Sequence, residues 1–169
     1  TGTKISGHVS KLEKRNVSGI VFSNDDSKIT LLGIPDKPGI AAKIFGSLAN
    51  HDINVDMIVQ NISSDGKYSD LTFTISETDL FKAKKFINKI KKDIKVKDIL
   101  PDSKVAKISI VGIGMRTNAG IAESMFKTLG KENINIDLIA TSEIKISVLI
   151  SRKDLKRAVN VLHKAFQLG

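Results

Sequence analysis

Two hydrophobic periods alternate along the chain. Ile40, Ala41, Ile44, Phe45, Leu48 and Ala49 recur at the spacing of one helix face, as do Ile121, Ala122, Met125, Phe126 and Leu129. Leu71, Phe73 and Ile75 alternate with Asp70, Thr72 and Thr74. Ile144, Ile146, Val148 and Ile150 likewise alternate with Lys145, Ser147, Leu149 and Ser151. A period of two puts one set on each face of a strand. Two further helices are predicted, over 79–92 and 152–165. The first would turn Leu80, Ala83, Ile87 and Ile90 toward a sheet, the second Leu155, Ala158, Val159, Leu162 and Ala165.

These elements fall into two copies of one pattern, 28–90 and 107–166. Lys28-Ile-Thr-Leu-Leu-Gly33-Ile matches Lys107-Ile-Ser-Ile-Val-Gly112-Ile, and each is followed by Gly-Ile-Ala, at Gly39 and Gly120. Ile53-Asn-Val-Asp-Met-Ile matches Ile134-Asn-Ile-Asp-Leu-Ile, and Asp79-Leu-Phe-Lys-Ala matches Asp154-Leu-Lys-Arg-Ala. Each copy reads strand, helix, strand, strand, helix. Ser64-Asp65-Gly66-Lys67 supplies turn chemistry in the first hairpin, whereas the second passes almost directly from Ser142 to Ile144 and is tighter. The first copy closes with a fourth strand at about Val96 to Leu100, ended by Pro101; the second has no residues left for one. The segment Val17 to Ser23 reads as a strand outside the first copy. It is predicted to cross over and complete the second sheet, interleaving the modules in an α+β fold.

With 41% hydrophobic residues, 169 residues can bury a core as one domain or two small ones. No apolar run approaches the ~18–20 residues of a membrane span, and no signal core opens the chain. No membrane partner and a cytoplasmic location are expected. The absence of cysteine removes disulfides, thiolate nucleophiles and cysteine-ligated zinc. The net charge of +9 is carried by lysine, densest at Lys82, Lys84, Lys85, Lys89, Lys91, Lys92, Lys95 and Lys97. That run reads as a solvated helix face. With arginine only at 15, 116, 152 and 157, and no interleaved aromatics, no nucleic-acid partner is expected. Thr1 in place of methionine points to a fragment or a processed chain.

Candidate chemistry is confined to loops and strand entries. His8, His51 and His163 show no ligand spacing and no nucleophile motif beside them. Gly112 and Gly114 follow a strand, but the rest of a dinucleotide fingerprint is absent. Pro35-Asp36-Lys37-Pro38-Gly39 opens one helix, and Met115-Arg116-Thr117-Asn118-Ala119-Gly120 opens its counterpart. Unpaired amides at such helix starts can bind a carboxylate, and Asp36 either caps the helix or holds an ammonium group. Asp56 and Asp137 begin the second strands, where they either pair with a ligand ammonium or serve the strand entry. Gln60, Asn61 and Ser63 offer amides and hydroxyls further along.

Two such modules carrying Asp-Lys-Pro-Gly, Asn-Val-Asp-Met-Ile-Val-Gln-Asn-Ile-Ser and Thr-Ser-Glu-Ile-Lys-Ile-Ser-Val resemble the regulatory region of aspartate kinase. The resemblance covers nearly the whole chain. It implies two ferredoxin-like βαββαβ ACT modules, each a four-stranded antiparallel sheet with two helices on one face. The first would span 25–101; the second would combine 16–24 with 102–169; and 1–15 would link to an upstream kinase domain. It also implies feedback inhibition of aspartate phosphorylation by free lysine, threonine or both, with pairing of modules into a homodimer. ATP and magnesium would belong to the kinase catalytic domain or large subunit, and this segment alone would hold no cofactor and be inactive.

Carried over by position, the resemblance puts an effector carboxylate on the backbone of Gly39, Ile40 and Ala41. Asp36, Asp56, Gln60 and Asn61 would add polar contacts, and Asn135 and Ile136 would come from a facing module. Thr141, Ser142 and Glu143 match a stretch that senses effector and transmits inhibition. The loop from Met115 to Gly120 departs from Asp-Lys-Pro-Gly, lacking the acid and the prolines. Rival readings are ACT modules serving another enzyme, such as homoserine dehydrogenase; an RNA-binding module, which lacks a stacking pair; and an acylphosphatase, for which Arg116 is the sole loop arginine.

Overall fold

The computed structural model describes residues 16–115 and 118–168. The linker read at 1–15, His8, and Arg116 and Thr117 of the second loop lie outside the described residues. The elements run β1 Val17–Ser23, β2 Asp26–Pro35, α1 Ile40–Ala49, β3 Val55–Ile62, β4 Tyr68–Ser76, α2 Leu80–Ile94, β5 Asp98–Asp102 and β6 Val105–Gly112. They continue with α3 Ala119–Lys131, β7 Ile136–Thr141, β8 Lys145–Ser151 and α4 Leu155–Phe166. A single 3-10 turn, Glu77–Asp79 or Arg152–Asp154, leads into each second helix. Among the described residues, no helix is long and apolar enough to cross a membrane.

The described residues form two four-stranded sheets, ordered β3-β4-β2-β5 and β1-β6-β8-β7. β1 pairs antiparallel with β6, from Val17 opposite Gly112 to Ser23 opposite Lys107. The interleaving expected from the repeat is therefore present: the N-terminal strand completes the sheet of the second repeat. One compact unit is Asn24–Ala106, and the other joins the chain up to Ser23 with the segment from Lys107. The first unit passes the boundary read at 101 because β5 does not end at Pro101. The strand runs through it, with Ile29 opposite Pro101 and Lys28 opposite Asp102. Proline is tolerated there because β5 is an edge strand, where a missing N–H breaks no ladder on its outer side.

In the Asn24–Ala106 unit, Ile29, Leu31, Ile34, Leu71, Phe73 and Ile75 from the sheet meet Ile44 and Leu48 of α1 and Ala83, Ile87 and Ile94 of α2. Phe45 packs edge-on against Phe73, ring centroids 5.4 Å apart, and adds directional aromatic contact to area burial. In the other unit the corresponding positions Ile108, Ile110, Ile146, Val148, Ile150, Ile121, Met125, Leu129, Ala158, Leu162 and Phe166 are buried. At about 25 cal/mol per Å2 of apolar surface removed from water, these faces supply the main drive for each unit to fold.

Among the described residues, each of the α-helices α1 to α4 is followed by a non-glycine residue in the left-handed region: Asp52, Lys95, Asn133 and Gln167, with φ between 49° and 57°. After α1 and α3 the reversal has the same hydrogen bonds, Ile53 N to Leu48 O and Ile134 N to Leu129 O, both 3.0 Å. Such closures satisfy carbonyls that the helix end leaves unpaired. The duplication thus extends to the caps.

Candidate functional site

The end of β2 and the start of α1 form one side of a cavity of about 170 Å3, lined by Ile34 through Ala41 and closed by Gln60, Ser69 and Leu71. Local chemistry explains its shape. The Asp36 amide donates to Lys67 O at 2.9 Å and the Lys37 amide to Pro35 O at 2.9 Å, turning the chain sharply out of the strand. Pro38 cannot donate, and Gly39 takes φ 92°, ψ −15°, a conformation that disfavours any residue with a side chain. Gly39 is also the N-cap of α1, and no side chain caps that end. Beyond it the Ile40 amide makes a long bond to Lys37 O at 3.5 Å; first-turn amides have no acceptor within their own helix, and the positive end of its dipole favours an anion.

Gln60 reaches the cavity from β3 and donates its Nε2 hydrogen to Ser69 Oγ at 3.1 Å. Ser69 is buried, so this bond fixes the Gln60 amide and keeps its Oε1 as an acceptor for a ligand. The structure therefore brings together Asp36, Gly39, Ile40, Ala41 and Gln60. Asp56 and Asn61 do not line this cavity. Gln60 stands opposite Leu71, a core residue, whereas Asp56 stands opposite Thr74 and Asn61 opposite Asp70. Cross-strand partners share a face, so Asp56 and Asn61 lie on the side of the sheet away from α1 and α2.

The corresponding corner of the other unit is built differently. Met115 occupies the position of Asp36, and its amide donates to Glu143 O at 2.9 Å as that of Asp36 does to Lys67 O. Its side chain is buried, and the methyl end packs on Gly112, where an added Cβ would collide with it. An apolar side chain thus fills the space that an acid borders in the first repeat. Ser142 holds the tight hairpin: its amide donates to Lys145 O at 2.8 Å, and its Oγ accepts from the amide of Lys145 at 3.2 Å. Glu143 sits at that hairpin tip. Asn135 and Ile136 lie at the entry to β7, where Asn135 Nδ2 donates to Asp137 Oδ1 at 3.5 Å.

A second hollow of about 440 Å3 was not legible in the pattern of the chain. It is lined by Phe45, Ala49, Asp52, Ile53, Asn54, Val55 and Ile58, beside the edge strand β3. Ile58 stands opposite the core residue Phe73, yet it is 53% exposed, because β3 is the edge strand and its side chain borders this hollow. The repeat held one usable signal: the register shift between Asp56 and Ile58 recurs between Ile136 and Leu138, at the matching Ile-Asn-x-Asp motif.

Comparison with known proteins agrees with this architecture. The ACT-domain family profile matches residues 29–90 and 108–166, one match per repeat. An aspartate kinase of Pseudomonas fluorescens is 47% identical over 157 residues, covering 93% of this chain and 38% of the relative. The chain thus spans 38% of the length of that relative. Among solved structures, the ligand-free regulatory subunit of aspartate kinase from Thermus thermophilus superposes with a TM-score of 0.84 at 34% identity, covering 89% of this chain and 99% of that one. A crystal structure of aspartokinase alpha and beta subunits gives a TM-score of 0.82 at 42% identity, covering 89% of this chain and 99% of that one. With both repeats matched by the profile and nearly the whole of each regulatory chain covered, the protein belongs to the ACT-domain family as a tandem-ACT regulatory region of the aspartate kinase type.

Proposed function

We propose that the chain senses free lysine, threonine or both, and converts occupancy into feedback inhibition of aspartate phosphorylation by a kinase domain or large subunit. The observation that carries this reading is the cavity at the start of α1. It sets the start of α1, where no side chain caps the helix and the Ile40 amide makes only a long bond to Lys37 O at 3.5 Å, within the same small space as Asp36, Ala41 and Gln60. A free amino acid presents a carboxylate and an ammonium a few bonds apart. The amides suit the first, Asp36 the second, and Gln60 Oε1 a further N–H or O–H. ATP and magnesium belong to the kinase part of this proposal.

Inhibition then follows as a shift of population. An effector that binds better to one arrangement of paired modules favours that arrangement by its differential affinity, and the attached kinase responds. A homodimer through the ACT modules is the assembly proposed, because ligand bound to the paired form stabilises it by mass action.

Calorimetric titration with lysine, threonine and both together, with leucine as control, tests the reading. Binding of lysine or threonine, weakened by Gln60→Ala, is the expected result; a folded protein that binds neither overturns it. The Asp56→Ala variant sorts the two halves of the proposed site. Unchanged affinity confines the ligand to the Asp36–Gln60 cavity, and weakened affinity extends its contacts to the outer face of β3, where Asn61 also lies. Asn135 and Ile136 are tested in the same way as contacts from a facing module, and Ser142 and Glu143 as part of the stretch that senses effector and transmits inhibition.

A further inference from the structure

Gly33 and Gly112 occupy the same place in the repeat, each followed by isoleucine, but their backbones differ. Gly33 has φ 63°, while Gly112 is absent from the positive-φ residues. The register of β2 against β4 shifts between Leu31 and Ile34, so Leu32 and Gly33 together face Asp70. This is a bulge with one extra residue, and its extra amide has no ladder partner. Asp70 supplies one: the Gly33 amide donates to Asp70 Oδ1 at 2.8 Å. On the other side of β2, Lys97 N donates to Leu32 O at 2.8 Å, and the Lys97 side chain lies over Gly33. It ends with its ammonium 4.3 Å from the centre of the Tyr68 ring.

The extra residue changes which side chains face α1. Ile34 is 2% exposed and lines the cavity, whereas its counterpart Ile113 is 77% exposed. At the position matching Asp70 the second repeat has Lys145, which cannot accept a hydrogen bond. We propose that Asp70 is a positioning residue for the ligand cavity: by accepting the Gly33 amide it holds the bulge that aims Ile34, Pro35 and Asp36 at the start of α1. The inference rests on the effector reading for its ligand, but the geometry it assigns to Asp70 is independent of that reading.

The full chain is compared with Asp70→Ala, Asp70→Lys and Asp70→Asn by calorimetry with threonine and lysine, and by amide chemical shifts and hydrogen exchange. Ile87→Val, a core change away from the bulge, serves as a stability control. Loss of a hydrogen bond to a charged group predicts about tenfold or greater weakening of ligand binding in Asp70→Ala and Asp70→Lys. Asp70→Asn keeps a side-chain oxygen and restores both affinity and Gly33 protection, and Ile87→Val lowers the melting temperature without weakening binding. A purely structural role would give equal losses in Ile87→Val and Asp70→Ala at matched stability, and that result overturns the proposal. If the parent chain binds neither amino acid, the effector reading falls, and the amide shifts decide the positioning role. Movement of the Ile34, Asp36, Gly39 and Ala41 amides in Asp70→Ala but not in Asp70→Asn upholds it, and unmoved amides overturn it.

Discussion

Ser109 and Ser147 face each other across β6 and β8 with their hydroxyl oxygens 2.6 Å apart, and both side chains are buried. Thr30 and Thr72 form the matching pair in the other sheet, at 3.1 Å. Two hydroxyls satisfy each other where water is excluded, so the two members have value only together. Ser147→Ala is expected to destabilise its unit by about 1–3 kcal/mol, the cost of a stranded buried hydroxyl. The double change Ser109→Ala, Ser147→Ala should recover most of that loss. Urea unfolding of the four proteins of this cycle measures the coupling directly; additive losses would show that the hydroxyls do not depend on each other.

Gly39 tests the backbone of the cavity without crowding it. A Cβ there would meet nothing within 4 Å, so the cost of Gly39→Ala comes from φ 92° alone. The expected penalty is about 1–2 kcal/mol, borne either as lost stability or as a reshaped loop. Calorimetry with threonine and lysine should show weaker binding even at temperatures where circular dichroism reports a fully folded chain.

The hairpin tip between β3 and β4 carries a pH signature. Asp65 accepts from Ser63 Oγ at 2.6 Å and from the Lys67 amide at 3.0 Å. These bonds, the Ser63 hydroxyl first, hold its carboxyl below its ordinary value of 3.8. A depressed carboxyl stabilises the fold above its unfolded pKa and loses that contribution as pH falls through its folded pKa. The turn should therefore hold at neutral pH and loosen below about pH 3.8. Amide exchange at Lys67 and Tyr68 in acid reads this, and Asp65→Asn should remove the pH dependence at those amides.

Lys95 closes α2 with φ 49°, where an L side chain is disfavoured. Lys95→Gly is expected to raise stability by up to about 1 kcal/mol, the relief of left-handed strain less the added freedom of glycine in the unfolded chain. A higher melting temperature checks it. Because the change also removes a positive charge from the helix end, the gain should be largest at high salt, where the charge contributes least.

Period and repetition carried most of the fold. The alternation of Leu71, Phe73 and Ile75 is a core face in the structure, and of the helical stripe Ile44 and Leu48 are buried with Ile40 and Phe45 packed beside them, while Ala41 and Ala49 at its border are exposed. The missing fourth strand of the second repeat pointed to β1 because a sheet edge left bare above a helical layer has to be covered. Bulges were not legible. Gly33 and Gly112 sit in nearly identical words, and what separates them is an acceptor at Asp70, 37 residues further on, that the second repeat replaces with Lys145. The shift at Met57 was equally silent, so Asp56 and Gln60, four apart, read as one face while the register places them on two. Met115 was visible only as a departure from Asp-Lys-Pro-Gly; that it fills the corner follows from its contact with Gly112.

Pro101 gives the sheet β3-β4-β2-β5 a polarity that its strand order does not express. At β5 a neighbouring strand would find a margin of five residues with a donor missing, whereas β3 offers eight residues, every one with its N–H, interrupted by the register shift at Met57. Strand-by-strand growth is thereby allowed on one flank and stoppered on the other.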